Sequence, residues 1–179
     1  MFITKFHEAL VTLRGLRALT KGGYLSERGW FRSYIEKSPV DREKNIIPWL
    51  PYPAADFIES RLHKGLCIFE YGSGSSTMWF SKRCKKIVSC EHDRAWYKKI
   101  KDQIPDNATI IYKKPGKDYI EAIKNFSHVF DIILIDGIDR VQCMENCLEA
   151  LKKDGIIILD DSFRKEYNQG LEYLINNGF

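Results

Sequence analysis

From residue 66 onward, short apolar runs alternate with amphipathic stretches. The apolar runs predict five strands, at residues 66–70, 86–91, 109–112, 130–136 and 155–160. The amphipathic stretches predict helices at residues 77–82, 93–104, 118–126, 140–152 and 164–176. Strands and helices that alternate in this way predict right-handed βαβ units. The sequence therefore predicts an α/β fold with a parallel sheet and helices on both of its faces.

The N-terminal residues follow a helical pattern without strands. Residues 1–20 carry apolar side chains at helical spacing and basic side chains on the other faces, which predicts an amphipathic helix ending near Gly22 and Gly23. The apolar positions are Phe2, Phe6, Leu10, Leu13 and Leu16. Such a helix packs on its own domain or on a second subunit more often than on a membrane. We therefore do not expect a membrane partner.

An aromatic segment rich in proline follows at residues 24–54. Its four prolines forbid a long helix, and its aromatic residues predict an ordered arm or lid in which Trp49 and Tyr52 close over a ligand. Residues after this arm predict a helix that leads into the first strand. We expect an N-terminal helix and arm at 1–54, and one globular ligand-binding domain at 55–179.

The first predicted strand runs into the glycine-rich turn EYGSGSST at residues 70–77. Gly72 and Gly74 let the backbone turn sharply and approach a ligand. No Gly-Lys-Ser/Thr follows, so the turn is not a phosphate-binding P-loop. A dinucleotide loop would need a third glycine where Ser76 stands, and its pyrophosphate would approach the Glu70 carboxylate. S-adenosylmethionine (SAM) carries a sulfonium and an ammonium but no phosphate, so Glu70 favours SAM over NAD.

Acidic residues stand at the ends of four of the five predicted strands. In an open parallel sheet, ligands bind beyond the carboxyl ends of the strands. Glu91 follows the glycine turn by about twenty residues, the distance at which an acid after the second strand holds both ribose hydroxyls. Together these acids predict a ligand site at one edge of the sheet. They are Glu70, Glu91, Asp136 and the pair Asp160 and Asp161.

Composition narrows the function classes. The chain has 179 residues, of which 44% are hydrophobic and 29% charged, and a net charge of +4, which is typical of one soluble domain. Its lysines occur in scattered pairs, so no nucleic-acid partner is expected. The odd number of cysteines and the absence of a signal-peptide pattern indicate a reducing, cytoplasmic location. Cys143 and Cys147 lie beside apolar residues and predict core packing instead of a zinc site.

Four motifs follow one another along the chain: E-x-G-x-G-x-S-T, VSCEHD, FDIILIDGIDR and GIIILDDS. In this order, they resemble the class I SAM-dependent methyltransferases over residues 47–178. Within that class, IPWLPYPAADF, EYGSGSSTMWF, IDGIDR and LDDSFRKEYNQGLEYL are similar to a bacterial group of small-molecule methyltransferase-like proteins. The resemblance implies a Rossmann-like fold with strand order 3-2-1-4-5, and SAM as the cofactor of the 55–179 domain.

The resemblance also implies roles for the residues at the strand ends. In such proteins the first acid and the glycine turn hold the methionine part of SAM, the acid after the second strand holds the ribose, and a polar residue after the third strand approaches the adenine. His92 is a candidate base, but its place after Glu91 suits the adenine side better. The implied cofactor residues are Glu70, Gly72, Gly74, Ser76, Thr77, Glu91, His92, Asp118 and Tyr119.

Methyl transfer is an in-line displacement, so its residues mainly position the reactants, and a base is needed only if the acceptor loses a proton. Asp136, Arg140 and Asp161 lie on the acceptor side and are the expected catalytic residues. Arg140 either clamps an anionic acceptor or forms a salt bridge with Asp136 or Asp139. Catechol-type relatives would use Asp136, Asp161 and the next residue for a divalent metal, but Ser162 stands where an Asn would. No metal is predicted.

Three functions remain open from the sequence. The leading hypothesis is a SAM-dependent enzyme that methylates a hydroxyl of a small molecule or a sugar. The second is a methyltransferase-like protein that binds the nucleotide without turnover. The third is an NAD-dependent oxidoreductase.

The resemblance calls for a longer sheet, in the order 3-2-1-4-5-7-6, and the sequence ends at Phe179 where the sixth strand would begin. The fifth strand would then lie at an edge that invites pairing with another chain. We expect that the sequence is a fragment of a longer protein, and that it binds SAM with little turnover. The alternative is that a neighbouring molecule or the N-terminal segment covers that edge. A homo-oligomer would form through the N-terminal helix or through this edge.

Overall fold

The computed structural model describes residues 2–179, with side chains described from residue 10 onward. The chain forms two compact units, Met1–Tyr52 and Pro53–Phe179, and each is described by itself. Phe2 and Phe6, which belong to the predicted apolar pattern of the N-terminal helix, lie outside the described side chains.

The described residues of the first unit form the helices α1 (Phe2–Lys21), α2 (Tyr24–Glu27) and α3 (Trp30–Glu36). α1 ends just before Gly22 and Gly23, where the sequence predicts its end. The described part of the aromatic segment has no long helix, as its prolines require. Trp49 is 65% exposed, so it is not a core residue, and its closure over a ligand stays a prediction. Among the described residues, no helix combines the length and the apolar composition needed to cross a membrane.

The second unit contains the predicted alternation of strands and helices, and α4 (Tyr52–Glu59) leads into it. Its strands are β1 (Cys67–Tyr71), β2 (Lys86–Glu91), β3 (Ala108–Tyr112), β4 (Phe130–Ile135) and β5 (Leu151–Leu159). Its further helices are α5 (Ser75–Ser81), α6 (Arg94–Ile100), α7 (Lys117–Ile120), α8 (Arg140–Asn146) and α9 (Asn168–Asn176). Short 3-10 helices lie at Glu121–Asn125, Leu148–Ala150 and Lys165–Tyr167.

The five strands form one parallel sheet in the order β3-β2-β1-β4-β5. This order confirms the predicted α/β, Rossmann-like fold. β1 lies at the centre of the sheet, where Phe69 pairs with Val88 on one side and with Ile133 on the other. β5 lies at an edge, and within residues 2–179 no sixth or seventh strand joins this sheet.

Apolar side chains of the central strands fill the core. Phe69, Ile133 and Ile135 are fully buried, and the rings of Phe126 and Phe130 lie 6.1 and 5.3 Å from that of Phe69. Burial of each large side chain contributes about 1.5–3 kcal/mol to stability. This core fixes the carboxyl ends of the central strands relative to one another, and the acidic residues follow directly.

Several helix boundaries differ from the prediction, and the helix predicted at 164–176 begins only at Asn168. The helix predicted at 140–152 ends at Asn146, and β5 begins already at Leu151. Leu148 and Leu151 have helical spacing, but Leu151 pairs with Phe130 instead and is 3% exposed. Burial of the strand therefore outweighs the local helical pattern. The helices predicted at 93–104 and 118–126 end at Ile100 and Ile120.

Candidate functional site

The carboxyl ends of β1 and β4 meet where the strand order reverses, which is where ligands bind in open α/β sheets. Gly72 follows β1 with a φ of 98°, and Gly137 follows Asp136 at the end of β4. A Cβ on Gly72 would lie 3.2 Å from the Asp136 carbonyl oxygen, and a Cβ on Gly137 would lie 3.1 Å from the Gly72 nitrogen. The two turns are therefore in backbone contact, and glycine suits both positions.

Gly74 has a different role from Gly72. Its φ of 164° is extended backbone that any residue adopts, and an added Cβ would have the Trp96 ring as its nearest neighbour, at 3.9 Å. The sharp turn that the sequence attributes to both glycines depends on Gly72. The Gly74 N–H donates to the Thr77 hydroxyl at 3.0 Å, which fixes the start of α5.

Glu70, the acid before the turn, is 1% exposed. Its carboxylate accepts hydrogen bonds from Ser76, from Thr77 at 2.6 Å and from Ser89 at 2.8 Å. Burial raises the pKa of Glu70, and the three hydrogen bonds oppose this rise. Glu70, Ser76 and Thr77 therefore bind one another and hold the turn onto the sheet. Contact of their side chains with the methionine part of SAM stays a prediction.

Glu91 ends β2, as predicted, and is 3% exposed. One of its oxygens accepts from the Ser73 hydroxyl at 2.5 Å, and the other accepts from the backbone N–H groups of His92 and Asp93 at 2.8 and 2.7 Å. These bonds join the end of β2 to the glycine turn and fix the orientation of the carboxylate. The structure thus brings the predicted ribose-binding acid to the side of the turn.

The predicted adenine-side residues lie in different surroundings. The rings of His92 and Tyr119 meet edge to face, with centroids 5.6 Å apart. Tyr119 is fully buried, which raises the pKa of its phenol, and a side chain on Gly137 would collide with its hydroxyl. Asp118 is exposed in the first turn of α7. Tyr119 therefore packs in the core beside the switch point, and Asp118 does not join the buried group around it.

Trp96 completes this part of the site, and the sequence analysis missed it. Its indole N–H donates to the Ser73 carbonyl oxygen at 2.8 Å, and 37% of its surface is exposed. Asp93 caps α6 by accepting from the backbone N–H groups of Ala95 and Trp96. The helix predicted to begin at residue 93 was the available signal, because it places Trp96 in its first turn.

Three carboxylates surround Arg140 at the ends of β4 and β5. Its guanidinium donates to Asp136 at 2.9 Å and lies 3.6 Å from an Asp160 oxygen and 3.9 Å from an Asp161 oxygen. It also donates to the carbonyl oxygens of Gly137 and Asp160 at 2.9 and 2.5 Å. Only 11% of the Arg140 side chain is exposed. Arg140 therefore forms the salt bridge that the sequence left open as an alternative to clamping an acceptor.

Asp136 interacts with Asp160 as well as with Arg140. Burial first, and then the charge of Asp160 and a hydrogen bond with it, raise the pKa of Asp136 to about 8, while Arg140 opposes the rise. Both carboxylates lie against the Arg140 guanidinium, and the repulsion between two neighbouring carboxylates disfavours ionisation of both. Asp160 was not among the expected catalytic residues, although the acidic pair at the strand end included it. Asp161, which was among the expected catalytic residues, forms an ion pair with Arg164 at 2.6 Å.

No group of His, Cys, Asp and Glu side chains in the described part of the chain has the arrangement of a metal site. The guanidinium of Arg140 lies within 4 Å of each of the three carboxylates, and that of Arg164 pairs with Asp161 alone.

Comparison with known proteins identifies the family. A family model described as a methyltransferase domain matches residues 69–162. A search of curated protein sequences found no match. The solved structures that are similar to the chain include the following two. A precorrin 8W decarboxylase from Methanobacterium thermoautotrophicum has a TM-score of 0.60 and 15% identity, with 80% of each chain covered. A TehB-like SAM-dependent methyltransferase from Corynebacterium glutamicum has a TM-score of 0.52 and 17% identity, with 68% of this chain and 69% of that chain covered.

At such identities the two structures show the fold alone, and the family model shows the family. Membership implies SAM as the methyl donor, and it favours SAM over the NAD alternative. Placement in the bacterial small-molecule group stays a prediction. Since the model spans more than half of the chain and the strand order agrees, the chain belongs to the class I, Rossmann-like SAM-dependent methyltransferases.

Proposed function

We propose that this protein transfers the methyl group of SAM to a hydroxyl group of a small molecule or a sugar. The observation that carries the proposal is the pair of carboxylates of Asp136 and Asp160, which lie 2.9 and 3.6 Å from the Arg140 guanidinium, beside the glycine turn at the switch point of the sheet. A hydroxyl acceptor loses a proton during methyl transfer. A proton-accepting group at this place therefore favours O-methylation.

The residues around the turn fit SAM. The backbone at Gly74 leaves room for a ligand, since an added Cβ there would have the Trp96 ring as its nearest neighbour, at 3.9 Å. Glu91 supplies an oriented carboxylate suited to the two neighbouring hydroxyls of a ribose. His92 follows on the same side and is assigned to the adenine. SAM supplies a methyl group that its sulfonium activates for displacement.

The acceptor side is assigned to the ends of β4 and β5. Because the pKa of Asp136 is about 8, both of its forms are populated near neutral pH, and the ionised form accepts the proton of the acceptor hydroxyl. Arg140 holds Asp136 and Asp160 in place, and Arg164 holds Asp161. Arg140 and Asp161 are therefore positioning residues in this proposal.

Two measurements test the proposal. Calorimetry with SAM, S-adenosylhomocysteine and NAD is expected to show binding of the first two only. A methyl-transfer assay over sugars, phenols and small alcohols is expected to find at least one acceptor. NAD binding without SAM binding would contradict the cofactor, and SAM binding without any turnover would favour a methyltransferase-like binding protein.

A matched pair of variants tests the proton acceptor. Asp136→Asn is expected to lower kcat by about a hundredfold, the usual contribution of a general base, while SAM affinity is retained. Asp106→Asn makes the same chemical change at an exposed aspartate before β3 and should leave both quantities unchanged. An unchanged kcat in Asp136→Asn would remove Asp136 from the reaction.

A further inference from the structure

The carboxylate of Glu91 has little hydrogen-bonding capacity left for a ligand. Its Oε1 accepts from the backbone N–H groups of His92 and Asp93 at 2.8 and 2.7 Å, and its Oε2 accepts from the Ser73 hydroxyl at 2.5 Å. A carboxylate has about four acceptor positions, so these bonds leave room for one more donor, on Oε2. A ribose presents two neighbouring hydroxyl groups, and Glu91 can accept only one of them while these bonds persist.

The Ser73 hydroxyl has the acceptor capacity that Glu91 lacks. A hydroxyl group has one donor and two acceptor positions, and the donor of Ser73 is used on Glu91. Within the described part of the chain, no group donates a hydrogen bond to the Ser73 Oγ. Ser73 is half-buried, whereas Glu91 is only 3% exposed. The serine is therefore the more accessible of the two residues to a ligand.

Hydrogen bonds on both sides fix the backbone at Ser73. Its own carbonyl oxygen accepts from the indole N–H of Trp96 at 2.8 Å, which joins it to α6. The N–H of Gly72, the residue before it, donates to the Cys90 carbonyl oxygen at 2.8 Å, which joins the turn to the end of β2. The Ser73 hydroxyl is therefore held beside the carboxylate before a ligand arrives, and this lowers the entropic cost of binding.

We propose that Ser73 binds one ribose hydroxyl of SAM and that Glu91 binds the other. This inference rests on the proposed function, because it takes SAM as the ligand. One ribose hydroxyl donates to the Ser73 oxygen, Ser73 donates to Oε2 of Glu91, and the second ribose hydroxyl donates to that same Oε2. If both ribose hydroxyls donated to Glu91, the bond between Ser73 and the carboxylate would have to break.

Calorimetry of the whole chain with deoxy analogues tests the proposal. The ligands are S-adenosylhomocysteine and its 2′-deoxy and 3′-deoxy analogues, each of which lacks one ribose hydroxyl. We expect one analogue to bind about thirtyfold more weakly than S-adenosylhomocysteine, because a bond to a carboxylate is lost, and the other about threefold more weakly, because a bond to a neutral hydroxyl is lost. Equal losses of affinity for the two analogues would overturn the proposal.

A variant identifies the residue that accepts the second hydroxyl. In Ser73→Ala, the analogue with the smaller loss should bind as tightly as S-adenosylhomocysteine, while the larger loss for the other analogue should remain. Ser127→Ala makes the same change at an exposed serine before β4 and should retain both losses. Thermal unfolding checks that both variants are folded. Persistence of the smaller loss in Ser73→Ala would overturn the proposal.

Failure of the proposed function gives a different result. A protein that binds neither SAM nor S-adenosylhomocysteine contradicts the cofactor, and the role of Ser73 with it. Binding of S-adenosylhomocysteine with equal losses for the two deoxy analogues contradicts the role of Ser73 alone and leaves the cofactor in place.

Discussion

The Glu70 carboxylate determines the shape of the glycine turn from within the protein. Three hydroxyl groups, from Ser76, Thr77 and Ser89, donate to it in a buried region. Ser76 and Thr77 belong to the start of α5, while Ser89 belongs to β2. One side chain of β1 thus joins the turn, the helix and the neighbouring strand.

Removing this acceptor is expected to destabilise the fold. Glu70→Ala leaves three buried donors without their partner and should lower the free energy of unfolding by about 2–4 kcal/mol. Ser89→Ala, which removes one of the three bonds, should cost about 1 kcal/mol. Chemical denaturation measures both. Equal costs for the two variants would show that the carboxylate does not join these elements.

Glu91 is expected to act on ligand affinity. Glu91→Ala should weaken SAM binding by about 1.5–3 kcal/mol, because charge-assisted hydrogen bonds to the ribose would be lost. Ser73→Ala removes a hydroxyl that bonds the same carboxylate and should have a much smaller effect. Calorimetry measures both affinities, and an unchanged affinity in Glu91→Ala would remove Glu91 from the site.

The two glycines of the turn are expected to differ on substitution. Gly72→Ala should destabilise the protein by about 1–2 kcal/mol, because φ is 98° there and the new Cβ would press on the Asp136 carbonyl oxygen. Gly74→Ala should cost little, because φ is 164° and the nearest contact is 3.9 Å away. Thermal unfolding of the pair gives the comparison. A larger loss of stability in Gly74→Ala than in Gly72→Ala would contradict the assignment of the backbone strain to Gly72.

For single residues, the sequence predicts the position of those that stand at the end of a strand. Glu70, Glu91 and Asp136 each lie within one residue of a strand end, so parallel pairing brings them to one edge. The bond between Trp96 and Ser73 depends instead on how α6 packs on the turn. Tertiary packing of this kind leaves no signal in spacing or composition. The same holds for the contact between Asp136 and Asp160.

At the scale of elements, the charged side chain of Arg140 joins the ends of β4 and β5. Arg140 bonds the carboxylate of Asp136 and the backbone of Gly137 on one side, and the backbone of Asp160 on the other. The arrangement concentrates acidic groups in a partly buried place, so one carboxyl group retains its proton to unusually high pH. Because this raises the pKa of Asp136, the stability of the protein should depend on pH.

Stability is expected to fall as pH rises from about 4 to about 8. The folded protein keeps a proton on Asp136 up to a pKa of about 8, while the unfolded chain releases it near the ordinary value of 3.8. The stabilisation is therefore complete below pH 4 and is lost as pH passes 8. In denaturation experiments, Asp136→Asn should make the free energy of unfolding depend less on pH over this window. Glu70, whose pKa is also raised, accounts for part of the remaining slope. An identical slope in both proteins would contradict the raised pKa of Asp136.

Helix boundaries show where local patterns fail. Leu148 and Leu151 predict a continuing helix, yet the chain leaves α8 after Asn146 so that Leu151 can pair with Phe130. The gain from extending the sheet is a long-range term that a window of neighbouring residues does not contain. By contrast, the existence and order of all five strands followed from the alternation and the resemblance, because both span most of the chain.

At the scale of the whole molecule, the chain has a basic unit with exposed apolar residues and a neutral unit with the sheet. All the side chains assigned to SAM and to the acceptor lie in the second unit. Its core is built from its own strands and helices, with Phe69, Ile133 and Leu174 as buried members. The second unit therefore has what an independently folding domain requires.

A fragment of residues 53–179 is expected to fold cooperatively without the first unit, as measured by thermal unfolding and circular dichroism. It then tests whether the first unit takes part in binding. If Trp49 and Tyr52 close over the cofactor, the fragment should bind SAM more weakly than the whole chain. A whole-chain variant with Trp49 as its single tryptophan should then also change fluorescence on binding. Equal affinities, with unchanged fluorescence, would contradict the lid.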